Sequence, residues 1–223
     1  MSATDKTVTI DVFSDVVCPW CFIGKRRLEK AIALKPEIPV EVRYQPYFLN
    51  PWVPRDGISR DEYLTTKFGS PAKYEQIAQR VAAAAQADGL TYNVGSLKRQ
   101  PNTIDCQRLI QWAQSVGRGA QMKQRLMELY FTEGGDLTDR EVLAKAAADC
   151  GLDADLVRRQ LAGEDDVERV SREAESAKES GIEGVPCFIF GGLVAVSGAQ
   201  APEHLAQAIE RAADEYAKRV AAE

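Results

Sequence analysis

The sequence predicts an α/β protein in which a βαβ unit and a ββα unit, at the two ends of the chain, flank a long helical segment. Apolar and polar residues alternate in residues 7–12 and again in residues 40–45, as in strands with one buried face. Two short apolar runs near the other end are joined by Gly191-Gly192, which is typical of a β-hairpin. Residues 59–180 show helical signals instead.

The residues Cys18-Pro19-Trp20-Cys21 stand directly after the first predicted strand. Proline is favoured at the first helical position, so a helix is expected to begin at Pro19 with Cys18 as its N-cap. Free N–H groups and the helix dipole stabilise a thiolate there, and cysteine pKa values in such motifs fall from roughly 8.5 to about 3.5–7. Cys21 follows one turn later and is expected to lie deeper. The spacing therefore predicts an attacking sulfur and a resolving sulfur.

Two other uses of this CxxC motif are less favourable. A structural zinc ion needs four ligands, whereas the chain has one histidine, His204, and no second CxxC motif. We therefore expect no metal site. A purely structural disulfide is uncommon between a strand and a helix in a reducing compartment, so thiol redox chemistry is favoured.

Composition sets wider limits on partners and location. The chain has 223 residues and a net charge of −5, which gives no reason to expect nucleic acid or an anionic membrane as partner. The first residues lack a basic region followed by an apolar one, so no signal peptide is expected and a cytoplasmic location is predicted. The five cysteines are an odd number, so at least one thiol stays free.

The elements can be predicted in chain order. The first helix should end near residues 34–36, and strands 7–12 and 40–45 should pair in parallel across it. About six helices and no strand are expected in residues 59–180. Their N-terminal signals lie at Ser59 and Thr138, each with a glutamate three residues later, and at Ser70 and Asn102. We expect a discontinuous domain of residues 1–58 and 182–223, with residues 59–181 as a helical insertion domain.

The last part of the chain should form the hairpin and a final helix. Gly184–Phe190 and Leu193–Ser197 are the predicted hairpin strands, and Pro186 is acceptable only at a strand start or edge. The final helix should run from Pro202 to about Arg219 with one apolar face. His204, in its first turn, is expected to face solvent.

This order resembles the thioredoxin fold with a helical insertion, as in DsbA-like proteins, and more closely the FrnE-like branch. That branch is related to 2-hydroxychromene-2-carboxylate isomerases and kappa-class glutathione transferases. The residues that carry the resemblance are 13–21, 48–51, 101–103, 130–131, 184–186 and 196–200, with sequences FSDVVCPWC, FLNP, PNT, YF, GVP and VSGAQ.

The resemblance implies a role for several residues. Pro186 would be a cis-proline beside the redox pair, and the Val185 backbone would pair with an incoming peptide or glutathione. Pro19 and Trp20 would support the pair, while Asn50, Ser197 and Gly198 are candidates for binding substrate or glutathione. From the residues alone, the favoured interpretation of Asn50 is a turn residue before Pro51.

The chain departs from the family pattern at two cysteines. Cys106 begins the run Cys106-Gln107-Arg108, where relatives commonly have Ala-His-Arg, so any role of that histidine is absent. Cys187 stands where an aromatic residue usually follows the cis-proline. It could form an alternative disulfide or metal contact with the active-site thiols, or simply fill the core, which is also the simplest interpretation of Cys106 and Cys150.

The leading functional hypothesis is a thiol–disulfide oxidoreductase that uses Cys18 as nucleophile and Cys21 as resolving thiol on protein or glutathione disulfides. No bound cofactor is expected beyond glutathione as co-substrate, and the protein should be a monomer or homodimer. With Pro-Trp between the cysteines, we expect a redox potential between those of thioredoxin, about −270 mV, and DsbA, about −120 mV. The alternatives are a glutathione-dependent isomerase or transferase acting on a small aromatic substrate, and a redox-switched holdase or partner-binding protein.

Overall fold

A computed structural model describes residues 7–221 of the chain. The strands in this range are β1 (Val8–Ser14), β2 (Val40–Pro46), β3 (Ile58–Ser59), β4 (Arg99–Gln100), β5 (Cys187–Phe190) and β6 (Val194–Ser197). The α-helices are α1 (Pro19–Ala33), α2 (Arg60–Phe68), α3 (Pro71–Ala87), α4 (Ile104–Ser115), α5 (Gly119–Glu128), α6 (Arg140–Asp149), α7 (Ala154–Ala162), α8 (Val167–Glu179) and α9 (Pro202–Ala221).

The main sheet has four strands in the order β2-β1-β5-β6. β1 pairs with β2 in parallel, as expected for strands joined through α1, and with β5 in the antiparallel direction. β5 and β6 form the predicted hairpin, and Pro186 lies immediately before β5. This sheet, with α9 packed on it and α1 packed against α9 and Phe188 of β5, is the thioredoxin fold, and the predicted α/β class with a large helical segment is confirmed.

Helix α1 begins where the sequence predicts. Cys18 is the N-cap in extended backbone conformation and Pro19 is the first helical residue. Gly24 lies where the helix packs against Pro186 and the start of β5. A Cβ atom on Gly24 would be 2.9 Å from the Pro186 ring and 3.2 Å from Phe188. Glycine is therefore needed here for close packing rather than for backbone freedom.

The middle segment differs from the prediction in two ways. It contains seven α-helices rather than about six, and its π-helical turn, Leu129–Glu133, was not predicted. The expectation of no strand is wrong, because β3 and β4 pair antiparallel. Each is only two residues long, too short to show the alternation that reveals a strand. The predicted boundary after residue 58 falls inside β3, and the division into two domains stays a prediction.

The capping predictions are confirmed for α2 and α3 and shifted for two later helices. The hydroxyls of Ser59 and Ser70 accept hydrogen bonds from the first turns of α2 and α3 at 3.1 and 3.2 Å. The predicted cap at Thr138 is wrong, because Asp139 caps α6 and its carboxylate accepts from the Glu141 N–H at 2.8 Å. A carboxylate one residue closer to the helix can displace the expected hydroxyl.

Helix α4 shows a similar shift of one residue. Thr103 occupies the N-cap position, and the side chain of the preceding Asn102 accepts from the Ile104 N–H at 3.0 Å. The Asn102 amide also donates to the Val53 carbonyl at 2.7 Å. Asn102 therefore both starts the helix and holds the loop before β3.

One large apolar core joins the sheet to the helical segment. It includes Ile10 of β1, Phe22 of α1, Leu109 of α4, Met127 of α5 and Leu205 of α9. His204, beside Leu205, is exposed as predicted. Within residues 7–221, no helix combines the length and apolar character that a membrane crossing needs.

Candidate active site

Cys18 and Cys21 face each other across the first turn of α1, where the Cys21 N–H donates to the Cys18 carbonyl at 3.0 Å. Both residues are only 2% exposed. Cys21 is buried as expected, but Cys18 is equally covered, because the helical segment closes over it. Cys18 differs from Cys21 in lining a cavity, which gives a reagent a route to its sulfur.

The two thiols have opposite pKa shifts. The pKa of Cys18 is lowered, first by a hydrogen bond from the Cys21 thiol and then by the backbone N–H groups of Cys21 and Trp20. Burial raises the pKa of Cys21 well above its ordinary value, and its hydrogen bond to Cys18 raises it further. Cys18 is therefore the sulfur that ionises first. The helix start contributes as predicted, but the second thiol is the larger cause.

The segment before β5 meets Cys18 from the opposite side. The Cys18 thiol donates to the Val185 carbonyl at 3.6 Å, and the peptide bond between Val185 and Pro186 is cis. The Gly198 N–H donates to the Pro186 carbonyl at 2.8 Å, so the end of β6 holds this segment. The geometry implied by the family resemblance for Val185 and Pro186 is present.

The other predicted site residues lie at different distances from this centre. Pro19 and Trp20 line the cavity with Cys18, and Trp20 is 39% exposed at its rim. Ser197 is exposed at the end of β6 and is not among the residues that line the cavity. Its proposed binding role and that of Gly198 stay predictions.

Asn50 is buried beside the cavity and contacts a residue of the helical segment. Its side-chain oxygen accepts from Lys67 Nζ at 2.6 Å, while its amide nitrogen has no partner among the described residues. Asn50 is thus more than a turn residue, because it orients a cation of α2. Whether it also contacts substrate stays a prediction.

The cavity over Cys18 has a volume of about 230 Å³. One wall comes from the loops that carry Cys18 and Val185, and the other from α2, α3 and the π-helical turn. Its aromatic residues are Trp20, Tyr63, Phe68, Tyr74, Tyr130 and Phe131. Its charged residues are Arg60 and Lys67, both cations. These helical residues were not predicted as site residues, since a helical pattern does not show which partner a polar side chain faces.

A second pair of unpredicted residues lies beneath the thiols. Asp15 and Lys123 are both buried, and burial raises the pKa of Asp15 and lowers that of Lys123. Lys123 Nζ donates to the Ser14 carbonyl at 3.2 Å, and the Asp15 carboxylate accepts from the Leu49 N–H at 2.9 Å. The positive charge of Lys123 opposes the upward shift of the Cys21 pKa. A lysine on the apolar face of α5 was the signal that could have revealed this pair.

The remaining cysteines lie in apolar or half-buried surroundings. Cys106 is fully buried in the main core, and Cys150 is half-buried after α6. Cys187 belongs to a second apolar cluster with Tyr47 and Ile182, and burial raises its pKa. Within residues 7–221, no cluster of three or more His, Cys, Asp or Glu side chains is placed to hold a metal ion. An alternative disulfide of Cys187 stays a hypothesis.

A strand, a CxxC helix start and an adjacent cis-proline, arranged on a sheet of order β2-β1-β5-β6, define a thioredoxin-fold dithiol protein. The chain matches the DsbA-like thioredoxin domain over residues 9–210 and belongs to that family. Its general class is thus that of a disulfide oxidoreductase.

Solved structures agree with this assignment. A probable DsbA oxidoreductase from Streptomyces coelicolor is 32% identical, with a TM-score of 0.84 over 92% of this chain and 89% of that one. A 2-hydroxychromene-2-carboxylate isomerase is 16% identical, with a TM-score of 0.70 over 94% and 98%. The cytosolic disulfide reductase DsbM from Pseudomonas aeruginosa, with glutathione, is also 16% identical, with a TM-score of 0.60 over 95% and 98%. The last two show likeness of fold alone.

Proposed function

We propose that the protein exchanges disulfides through the Cys18–Cys21 pair, with Cys18 as nucleophile and Cys21 as resolving thiol. The observation that carries this is the opposite shift of the two pKa values, together with the opening of the cavity on Cys18 alone. A thiolate is the attacking form, so the sulfur of lower pKa and better access acts first.

The reaction proceeds in two exchanges. The Cys18 thiolate attacks one sulfur of the substrate disulfide, forms a mixed disulfide and expels the other sulfur as a thiolate, which takes up a proton. Cys21 then loses its proton and attacks the Cys18 sulfur, which forms the Cys18–Cys21 disulfide and expels the second substrate thiolate. Substrate gains two electrons and the enzyme loses two. The reverse sequence makes disulfides.

Variants of the two cysteines test this mechanism in insulin-disulfide reduction and in refolding of scrambled ribonuclease. Cys18→Ser should abolish turnover, while Cys21→Ser should accumulate the mixed disulfide on Cys18, detectable by mass spectrometry. Cys106→Ser is the matched control and should retain activity. Full turnover by Cys21→Ser would contradict the dithiol mechanism.

Two features support glutathione as a co-substrate and a cytosolic location. The chain shares its fold with a cytosolic disulfide reductase solved with glutathione. Val185 lines the cavity beside Cys18, and the backbone next to the cis-proline there suits an extended peptide. Oxidation of the reduced protein in defined glutathione buffers tests the first point, and fractionation of the producing cells tests the second.

The alternative, an isomerase acting on a small aromatic substrate, is favoured by the aromatic walls of the cavity and by likeness of fold to such an isomerase. That reaction needs bound glutathione but no resolving thiol. Full isomerase activity in Cys21→Ser would support it, whereas loss of disulfide turnover in that variant supports the dithiol mechanism.

A further inference from the structure

The cavity over Cys18 carries two cations that form no ion pair with a carboxylate of the described residues. Arg60 and Lys67 are the charged residues among those that line it, and neither lies within ion-pair distance of a carboxylate in residues 7–221. Most other arginines of the described chain do pair with acids, for example Arg27 with Asp88 at 2.7 Å. Two neighbouring like charges that share a low-dielectric cavity repel each other, and the Cys18 thiolate supplies one negative charge against two positive ones, so a second anion is favoured there.

Arg60 is held with one edge of its guanidinium unused. The group lies over the Tyr63 ring and over the Tyr74 ring, 5.0 and 5.2 Å from their centroids. One terminal nitrogen donates to the Gln100 side chain at 3.1 Å. The Nε and other terminal nitrogen have no protein acceptor among the described residues, and they are the pair that binds a carboxylate in bidentate fashion.

Lys67 is placed in a similar way. Its ammonium donates to the Asn50 side-chain oxygen at 2.6 Å and lies 5.6 Å from the Tyr63 ring centroid. Burial lowers its pKa, while the negative charges of Cys18 and Asp15 act in the opposite direction. An ammonium has three N–H donors, so two remain after the bond to Asn50.

From these contacts we infer that Arg60 and Lys67 form an oxyanion subsite, and that the substrate is a low-molecular-weight disulfide with a carboxylate on the half that enters the cavity. The aromatic walls would hold the rest of that half. The volume of about 230 Å³ is below the roughly 300–1,000 Å³ of sites for drug-sized ligands, so one arm of a small disulfide fits better than a loop of a folded protein.

This inference rests on the proposed function and adds no new chemistry. The Cys18 thiolate attacks the sulfur of the bound half, the bond between the two substrate sulfurs breaks, and the outer half leaves as a thiolate that takes up a proton. Cys21 then expels the bound half. The cations act by binding the carboxylate, so they are binding residues rather than groups that move protons.

Small disulfides of different charge test the inference. Stopped-flow rates of the reduced enzyme would be measured with 5,5′-dithiobis(2-nitrobenzoate), which carries a carboxylate on each ring, with neutral 4,4′-dithiodipyridine and with cationic cystamine. Each rate is divided by the rate at which 2-mercaptoethanol, as a reference thiol, reacts with the same reagent at the same pH. The ratio of the carboxylate to the neutral reagent then cancels any change in the reactivity of Cys18.

In the wild-type enzyme the ratio of the carboxylate reagent to the neutral reagent should be about ten or more. Arg60→Gln should lower this ratio by about tenfold, the usual range for a charge-assisted bidentate contact. Lys67→Gln should lower it to a smaller extent, and Arg60→Lys should fall between wild type and Arg60→Gln. Cystamine should react most slowly. Arg80→Gln removes an exposed arginine of α3 and is the matched control, with an unchanged ratio.

The outcomes separate this inference from the proposed function. If the neutral reagent oxidises Cys18 and Cys21 but the ratio is near one, or is the same in Arg60→Gln as in Arg80→Gln, the oxyanion subsite is ruled out and the dithiol mechanism stands. If no reagent oxidises the pair in folded protein, the proposed function fails and the inference fails with it. Circular dichroism of each variant confirms that it is folded.

Discussion

The reactivity of Cys18 depends chiefly on the thiol of Cys21. A hydrogen bond from that thiol is the largest cause of the lowered pKa of Cys18, ahead of the N–H groups of the helix start. The two sulfurs therefore act as a unit in the reduced protein, because the second stabilises the charge on the first. The burial of both side chains strengthens this bond.

Removal of the Cys21 thiol should raise the pKa of Cys18. In Cys21→Ala only the backbone N–H groups of Cys21 and Trp20 would remain to favour the thiolate, against burial and the charge of Asp15. The thiolate absorbance at 240 nm and the iodoacetamide rate, followed against pH, should shift to higher pH. Cys106→Ala is the control and should titrate as wild type. An unchanged midpoint in Cys21→Ala would assign the shift to the helix start.

The same shift predicts a pH dependence of stability for the reduced protein. Because the pKa of Cys18 is lower in the folded than in the unfolded state, the unfolded state binds more protons between the two values, and stability rises with pH in that window. The gain in stability should be complete near pH 8.5, which is about the pKa of a cysteine in the unfolded chain. Urea denaturation of reduced Cys18→Ser, which lacks this thiol, should show a smaller rise.

Lys123 should assist the resolving step. Its charge opposes the upward shift of the Cys21 pKa, so Lys123→Met should leave Cys21 harder to ionise. We expect release of product from the mixed disulfide to slow by about tenfold for each unit by which the pKa of Cys21 rises. The pH optimum of this step should move to higher pH. Single-turnover kinetics with separate detection of the two thiolates measures this. Equal slowing of the first exchange would indicate a structural role instead.

At the level of elements, the close approach of α1 to the segment before β5 positions the two cysteines. In an ordinary helix, Gly→Ala stabilises by about 1 kcal/mol. Here the added methyl of Gly24→Ala would meet the Pro186 ring at 2.9 Å, so we expect a loss of about 1–3 kcal/mol instead.

Urea denaturation measures the effect of Gly24→Ala. Gly184→Ala is the control, because nothing lies within 4 Å of the added methyl and the backbone needs no positive φ. Stabilisation of the protein by Gly24→Ala would show that α1 can move away from Pro186.

The elements also show what could be predicted from sequence. The alternation of apolar and polar residues and the helix-start signals were sufficient to predict β1, α1, β2 and the hairpin, because each is specified by residues close together in the chain. The strands β3 and β4 were missed, since two residues pair with two others some 40 positions away and leave no local pattern. The subsite cations were missed for the same reason, because Arg60 and Lys67 come close to Cys18 only when α2 folds over it.

For the whole molecule, the shared core predicts cooperative unfolding. The large apolar cluster includes residues of β1 and α1 as well as of α4–α7, so neither part buries its apolar surface alone. Tryptophan fluorescence and far-ultraviolet circular dichroism should therefore give one coincident urea transition. Two separated transitions would show that the helical segment and the sheet unfold independently.

The cavity over Cys18 has walls from two separate parts of the chain. The reactive sulfur and the cis-proline belong to the two ends of the sequence, while Arg60, Lys67 and Tyr130 belong to the middle. Mutations of Arg60 and Lys67 can therefore alter which molecules are accepted without altering how the sulfurs react. Duplicated copies of such a protein could diverge in substrate while they inherit the same chemistry, so exchange of the residues of α2 that line the cavity is a practical way to transfer selectivity.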